Sequence, residues 1–173
     1  METNSLNFEN LQKALDVFIK DFIQTYKGLL IRDDKKASGD LLRSIKPIEI
    51  EFSNNKMSGS ISLANYWKYI EYGTGPQHIP DKRQQYWPRI KKILKWIEKK
   101  PVLARPNNGI KPTNKQLAFL ISRKIHDDGI KPGRQFAEAL NLTWAKNSEN
   151  ISNAISLDLQ EQINLIPIWK TLN

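Results

Sequence analysis

The 173-residue chain contains no cysteine, which excludes disulfides, thiolate nucleophiles and cysteine-ligated zinc together. It also fits a chain kept in reducing cytoplasm. Histidine is nearly absent: the two residues, His78 and His126, lie far apart, and neither has a second histidine one helical turn away. That spacing argues against a metal centre, with His126-Asp127-Asp128 as the nearest approach to a ligand cluster. No apolar run reaches the ~20 residues of a membrane span, and the N-terminus opens polar and acidic (Glu2, Asn4, Glu9), unlike a secretory leader. The expectation is a soluble, unsecreted protein that makes no membrane contact. Glycine-rich phosphate loops, a serine nucleophile elbow and triad signatures are also missing. Glu49 and Glu51 share the outer side of an alternating segment and read as solvated, so the expectation is no enzyme, no cofactor and no metal.

What the chain has in excess is positive charge. Lys and Arg number 27 against 18 Asp and Glu, a formal net charge of +9. Such a surplus favours encounter with polyanions and says little about fold. It is concentrated between Asp81 and Lys100, where eight basic residues face two acids. The segment from Tyr86 to Lys99 reads as a helix with Ile90, Ile93, Leu94 and Ile97 on one face and Lys91, Lys92, Lys95 and Lys99 largely on the other. Lysines neutralise phosphates, and the interleaved Trp87 and Trp96 are able to stack on bases, so these four lysines are the DNA-contact candidates. The competing reading is a solvated helical face. No base-reading motif accompanies them, so any contact with DNA is expected to be independent of sequence.

Around this helix the periodicities are clear. Leu11, Leu15, Phe18, Ile19, Phe22, Ile23, Tyr26 and Leu30 recur at three and four residues, predicting an amphipathic helix over 6–30 with a last turn weakened by Gly28. Ser38 is expected to cap a two-turn helix stopped by Pro47. Ile48, Ile50 and Phe52, then Ile61 and Leu63, alternate with polar residues about a turn rich in Asn54, Asn55, Ser58 and Gly59, predicting an antiparallel hairpin. Two strands are marginal alone, so the first helix is expected to cover them. Asn114 is expected to cap a helix reaching His126 and ending at Gly129, which makes 76–128 a helical insertion in a single domain spanning 1–173. A long helix then runs to about Leu165 with Trp144, Ile151, Ala154, Ile155, Leu159 and Ile163 as its apolar stripe. Leu142 and Leu157 fall off that stripe, and the excess apolar surface predicts a partner.

The densest signal is 63–75, where Tyr66, Trp67, Tyr69, Tyr72 and Glu71 crowd one short helix that stops at Gly73-Thr74-Gly75. Tyr66, Tyr69 and Ile70 share a face, with Trp67 and Glu71 on the neighbouring stripe. No second acid, histidine or cysteine lies near Glu71 in sequence, so the element reads as a packing device.

Three pieces of the chain, in this order, resemble the tail-completion or neck proteins of tailed double-stranded DNA bacteriophages. Gly39, Leu41, Ser44 and Ile45 answer to the family's Gly-x-Leu-x-x-Ser-Ile element. Tyr66, Ile70, Glu71, Tyr72, Gly73 and Thr74 answer to its Tyr-x-x-x-Val/Ile-Glu-Phe/Tyr-Gly-Thr turn. Gly133, Arg134, Phe136, Ala139 and Leu140 answer to its Arg-Pro-Phe element and following Ala-Leu pair, with Gln135 in place of the usual proline and Glu138 where a second proline is common.

The resemblance implies an α+β protein with a curved antiparallel sheet covered by a long N-terminal and a long C-terminal helix, with the helical insertion after Gly-Thr. It also implies a structural virion protein, made in the host cytoplasm. Copies of the chain would form a ring at the head–tail junction around the DNA channel, touching portal, adaptor or tail proteins. Rings require heterologous patches, and aromatics are enriched in interface cores. The interface candidates are therefore Trp67, Glu71, Tyr72, Trp96, Phe136, Trp144 and Trp169.

Overall fold

The computed structural model describes residues 8–35, 39–53, 56–74, 89–100, 102 and 111–165. Helix accounts for 70% of these, and the strands form two short antiparallel pairs. The chain is therefore a helix-dominated α+β protein. In order the elements are α1 (Glu9–Arg32), α2 (Asp40–Ser44), β1 (Lys46–Pro47), β2 (Glu51–Ser53), β3 (Lys56–Ser58), β4 (Ile61–Ser62), α3 (Trp67–Tyr72), α4 (Ile90–Lys99), α5 (Asn114–Asp128) and α6 (Gln135–Leu165). They group into two compact units. One holds Met1–Leu29, Ile45–Ser62 and Glu138–Asn173, and the other holds Leu30–Ser44 and Leu63–Ala137.

In the first unit, α1 buries Ile19, Phe22, Ile23 and Tyr26, as the periodicity predicts, and also Leu29, which that periodicity does not include. It continues through Gly28, around which nothing lies within 4 Å of an added Cβ. α6 runs antiparallel to it, since Asn10 and Leu11 meet Asp158 while Asp21 meets Asn147. Phe18 sits edge-on to Trp144 with ring centroids 6.2 Å apart.

The buried stripe of α6 is Ala139, Thr143, Asn147, Ile151, Ala154 and Asp158. Of the apolar stripe read from sequence only Ile151 and Ala154 are buried, while Trp144, Ile155, Leu159 and Ile163 face outward. Asn147 and Asp158 take inward places because α1 supplies their partners. Asn147 donates to Asp21 at 3.1 Å, and Asp158 accepts the amides of Asn10 (3.1 Å) and Leu11 (2.8 Å).

The strands nest as one interrupted hairpin. Lys46 pairs with Ser62 and Pro47 with Ile61, whereas Glu51 pairs with Ser58 and Ser53 with Lys56. Residues 48–50 therefore stand opposite only 59–60, a one-residue bulge anchored by Ile48 N–H donating to Ser60 C=O at 2.8 Å. Ile48 and Phe52 are both exposed, and Phe52 packs beside Phe8 with ring centroids 5.6 Å apart. Ser58 lies in β3 instead of the turn. Gly59 is needed for approach to α1, since a Cβ there would stand 2.4 Å from Ile19 Cδ1.

In the second unit α4 and α5 pack as a helical pair around Ile93, Ile97 and Ala118, flanked by Ile90, Leu94, Leu117, Ile121 and Ile125. Residues 86–88, where the sequence places the start of α4, lie outside the described residues. Thr113, not Asn114, caps α5. Its hydroxyl accepts from Gln116 N–H at 3.3 Å while Gln116 Oε1 accepts from Thr113 N–H at 2.9 Å. This reciprocal box needs Gln three residues after the cap, a spacing Thr113 has and Asn114 lacks. Gly129, at φ 76°, closes the helix. Ser38, the expected cap of α2, lies outside the described residues.

Candidate functional site

Helix α6 begins without a capping side chain of its own. The residue before it is Arg134, held at φ 59°, and arginine offers no acceptor to the orphan amides of a first helical turn. The acceptor arrives from 65 residues earlier. Glu71, on α3, points its carboxylate at the start of α6, with Oε2 accepting Phe136 N–H at 2.8 Å and Oε1 accepting Ala137 N–H at 3.1 Å. These are the second and third residues of the helix, the two amides that a local Ser or Asp cap would serve. The positive end of the helix dipole adds to the attraction. Glu71 is only 4% exposed, so the bonds form away from competing water.

The rest of α3 fixes this arrangement. Trp67 packs against Phe136 with ring centroids 5.1 Å apart and against Tyr72 at 6.1 Å. Backbone bonds run from Gly133 N–H to Ile70 C=O (2.8 Å) and from Arg134 N–H to Glu71 C=O (3.3 Å). Thr74 and Ile130 exchange backbone bonds, each 2.9 Å. Gly73 terminates α3 at φ 74°, and a Cβ there would meet Ile130 O at 2.2 Å. Trp67 and Glu71 therefore form the inward stripe of α3, while Tyr66, Tyr69 and Tyr72 are exposed. The segment before α3 is tied in by Ser44, whose hydroxyl donates to Leu41 C=O (2.8 Å) and accepts from Ala64 N–H (2.9 Å).

Gln135, at the position where the phage pattern has proline, uses its side chain: Nε2 donates to Asp33 at 3.0 Å. The Arg32 guanidinium, together with this amide, holds the Asp33 carboxyl at about 2, below its ordinary 3.8. A proline at the first helical position would sacrifice no helix hydrogen bond, but it would lose this tie.

A cavity of about 870 Å³ opens in the same unit. Leu30, Leu41, Ile70, Ile93 and Ile121 contribute apolar wall, and Lys35, Lys92, Lys99 and Lys100 contribute cations. On α4, Lys92, Trp96 and Lys99 recur at four and three residues and all line it. Tyr66, though exposed overall, also lines the wall, where partial desolvation of its hydroxyl raises its pKa.

Of the interface candidates, Tyr72 (61%), Trp144 (55%) and Trp96 (37%) are exposed. Trp67 and Phe136 are half-buried against each other, and Trp169 lies outside the described residues, as does Trp87. Glu71 spends both carboxylate oxygens inside its unit. Its structural role is readable from a missing cap before α6, although not from its own surroundings in sequence. Lys91, Lys92, Lys95 and Lys99 are all exposed, but Lys92 and Lys99 turn to the cavity, whereas Lys91 and Lys95 do not line it.

Among the described residues no three His, Asp or Glu side chains gather as a metal site. Asp127 is bonded to His126 at 2.9 Å, which lowers its pKa, and Asp128 pairs with Lys124 at 2.7 Å. Among the described residues no helix is long and apolar enough to cross a membrane. Neither a protein-family model, nor a curated protein, nor a solved structure matches the chain.

Proposed function

We propose that this chain is a structural subunit of a homo-oligomeric ring at the head–tail junction of a tailed double-stranded DNA phage, joining portal or adaptor to tail around the DNA channel. The observation that carries the reading is the bond from Glu71 to the amides of Phe136 and Ala137. The resemblance rests on segments widely separated in sequence, and this bond gives two of them a shared structural task. Ser44, in the first segment, ties its own helix to the strand-to-α3 connection through Ala64. Residues that match a family pattern and also hold one another in place support a common fold more strongly than isolated matches do.

On this reading the protein performs no catalysis and takes no cofactor. The two strand pairs belong to a curved sheet with α1 and α6 as its cover. Exposed Tyr72, Trp96 and Trp144 meet neighbouring copies, and the portal, adaptor or tail proteins sit above and below the ring. Its place is the neck of the virion, after synthesis in the host cytoplasm. Native mass spectrometry and negative-stain imaging of the protein with its portal test the reading. Closed rings of one copy number seated on the portal support it, and a chain that stays monomeric in the presence of portal and tail components contradicts it.

A second reading has its own support. All four of Lys91, Lys92, Lys95 and Lys99 are exposed on one ten-residue helix, a density of charge suited to sequence-independent contact with duplex DNA.

A further inference from the structure

The cavity beside α4 is apolar at its floor and cationic at its rim. Leu30, Leu41 and Ile93, all buried, form the floor, and Ile70, Ile121 and Ile125 continue the aliphatic wall. Lys35, Lys92 and Lys99 line the same cavity and are exposed, which places them at the rim.

That rim lacks charge balance. The two acids of the cavity are already engaged, Asp34 by Lys100 and Asp40 by Arg43. Lys35, Lys92 and Lys99 make no ion pair among the described residues. Lys35 adds to the field that lowers the Asp33 pKa, but Arg32 holds that carboxylate directly. Glu98, on the same helix as Lys92 and Lys99, does not line the cavity. Across the whole unit Lys and Arg outnumber Asp and Glu by more than two to one. Of its residues outside the described set only Asp81 is an acid, against Lys36, Lys82, Arg83 and Arg105. The missing negative charge therefore has to come from an occupant.

Size and wall chemistry narrow what that occupant is. A volume of about 870 Å³ falls within the roughly 300–1,000 Å³ of small-molecule sites and does not admit a nucleic-acid duplex. A sugar-phosphate would set its hydroxyls against the aliphatic floor without partners. An alkyl chain leaves no polar atom there, and a single carboxylate at its end answers the lysines with charge-assisted hydrogen bonds.

We propose that this cavity binds a long-chain fatty-acid anion, with the alkyl chain on the floor of Leu30, Leu41 and Ile93 and the carboxylate among Lys35, Lys92 and Lys99. Apolar burial supplies affinity, and the lysines fix which end faces outward. The site lies within one unit of a single chain, so the inference goes beyond the ring reading, and its failure leaves that reading as it stands.

Isothermal titration calorimetry of the full-length protein with decanoate, dodecanoate and tetradecanoate, each below its micelle concentration, tests the site. The expected result is one saturable site per chain, with affinity rising about tenfold for each two methylenes added. Dodecanoate is expected to bind about tenfold more tightly than dodecyltrimethylammonium, which has the same chain and the opposite charge. The triple variant Lys35→Gln, Lys92→Gln, Lys99→Gln should lose about tenfold in dodecanoate affinity and keep its affinity for neutral dodecanol within about twofold. Lys91→Gln with Lys95→Gln, on the same helix but outside the cavity, should change neither. All five lysines are exposed and glutamine is a good helix former, so the variants keep the fold. Absence of saturable binding, equal affinity for dodecanoate and dodecyltrimethylammonium, or equal losses in the two sets of lysine variants overturns the inference.

Discussion

Glu71 and Phe136 lie 65 positions apart in the chain, yet the carboxylate of one holds the first-turn amide of the other at 2.8 Å. A matching relationship occurs in the other unit, where fully buried Asp158 accepts the amides of Asn10 and Leu11, the second and third residues of α1. Neither long helix is preceded by an acceptor side chain, Phe8 standing before α1 and Arg134 before α6. Each borrows its cap from a distant helix. Capping in this way converts a local helix signal into a tertiary constraint, because the helix start is satisfied only when the partner helix is in place.

Replacing Glu71 by Ala is therefore expected to destabilise the protein by about 1–3 kcal/mol, since two buried amides lose a charged acceptor. Glu71→Gln keeps one acceptor oxygen and should fall between Ala and wild type. Urea unfolding followed by circular dichroism measures both. Hydrogen exchange should show the loss first at Phe136 and Ala137. The equivalent Asp158→Ala change should expose Asn10 and Leu11 instead.

Gly28 and Gly73 are expected to respond to alanine in opposite directions. Gly28 lies inside α1 with nothing near an added Cβ, so Gly28→Ala should stabilise by about 0.5–1 kcal/mol. Gly73 sits at φ 74° with Ile130 O at 2.2 Å from a built Cβ. Gly73→Ala should cost more than about 1 kcal/mol and loosen the Thr74–Ile130 bridge. Thermal melts of the two variants beside wild type decide the signs.

The Asp33 carboxyl, depressed to about 2 first by Arg32 and then by Gln135, gives a pH dependence with a defined sign. A carboxylate whose folded pKa lies below its unfolded value stabilises the fold above the unfolded titration near 3.8, and that contribution fades as pH falls toward about 2. Gln135→Leu removes one donor, so the Asp33 titration should move upward, and carboxyl chemical shifts in an NMR titration read the movement. An unchanged titration would show that Gln135 does not hold Asp33.

For the basic helix, replacement of Lys91, Lys92, Lys95 and Lys99 by Gln should weaken duplex binding equally for unrelated sequences. The slope of log affinity against log salt should become shallower by about one unit for each phosphate no longer neutralised. Fluorescence anisotropy at several salt concentrations measures this. Affinity insensitive to both salt and the substitutions would mean that α4 does not bind DNA.

Much of this architecture is legible in the sequence. The helical periodicity of α1, the stops at Gly73 and Gly129, the two helices α4 and α5 and the place of the hairpin all follow from local spacing. The inward face of α6 does not, because Thr143, Asn147 and Asp158 occupy it, and for Asn147 and Asp158 it is partners on α1 that make burial suitable. The hairpin bulge turns on one extra residue among 48–50, which alternation alone does not reveal. Glu71 is visible as an isolated carboxylate, but its task depends on Arg134 failing as a cap far along the chain. In each case the missing information is tertiary, a partner many residues away.

The ring proposal stands most directly on the composition and symmetry of the neck. Cryo-electron microscopy of head–tail junctions from virions carrying this chain should show it as a closed cyclic ring between portal and tail, with the DNA channel through its centre. A complete neck in which no density corresponds to this chain would contradict the proposal.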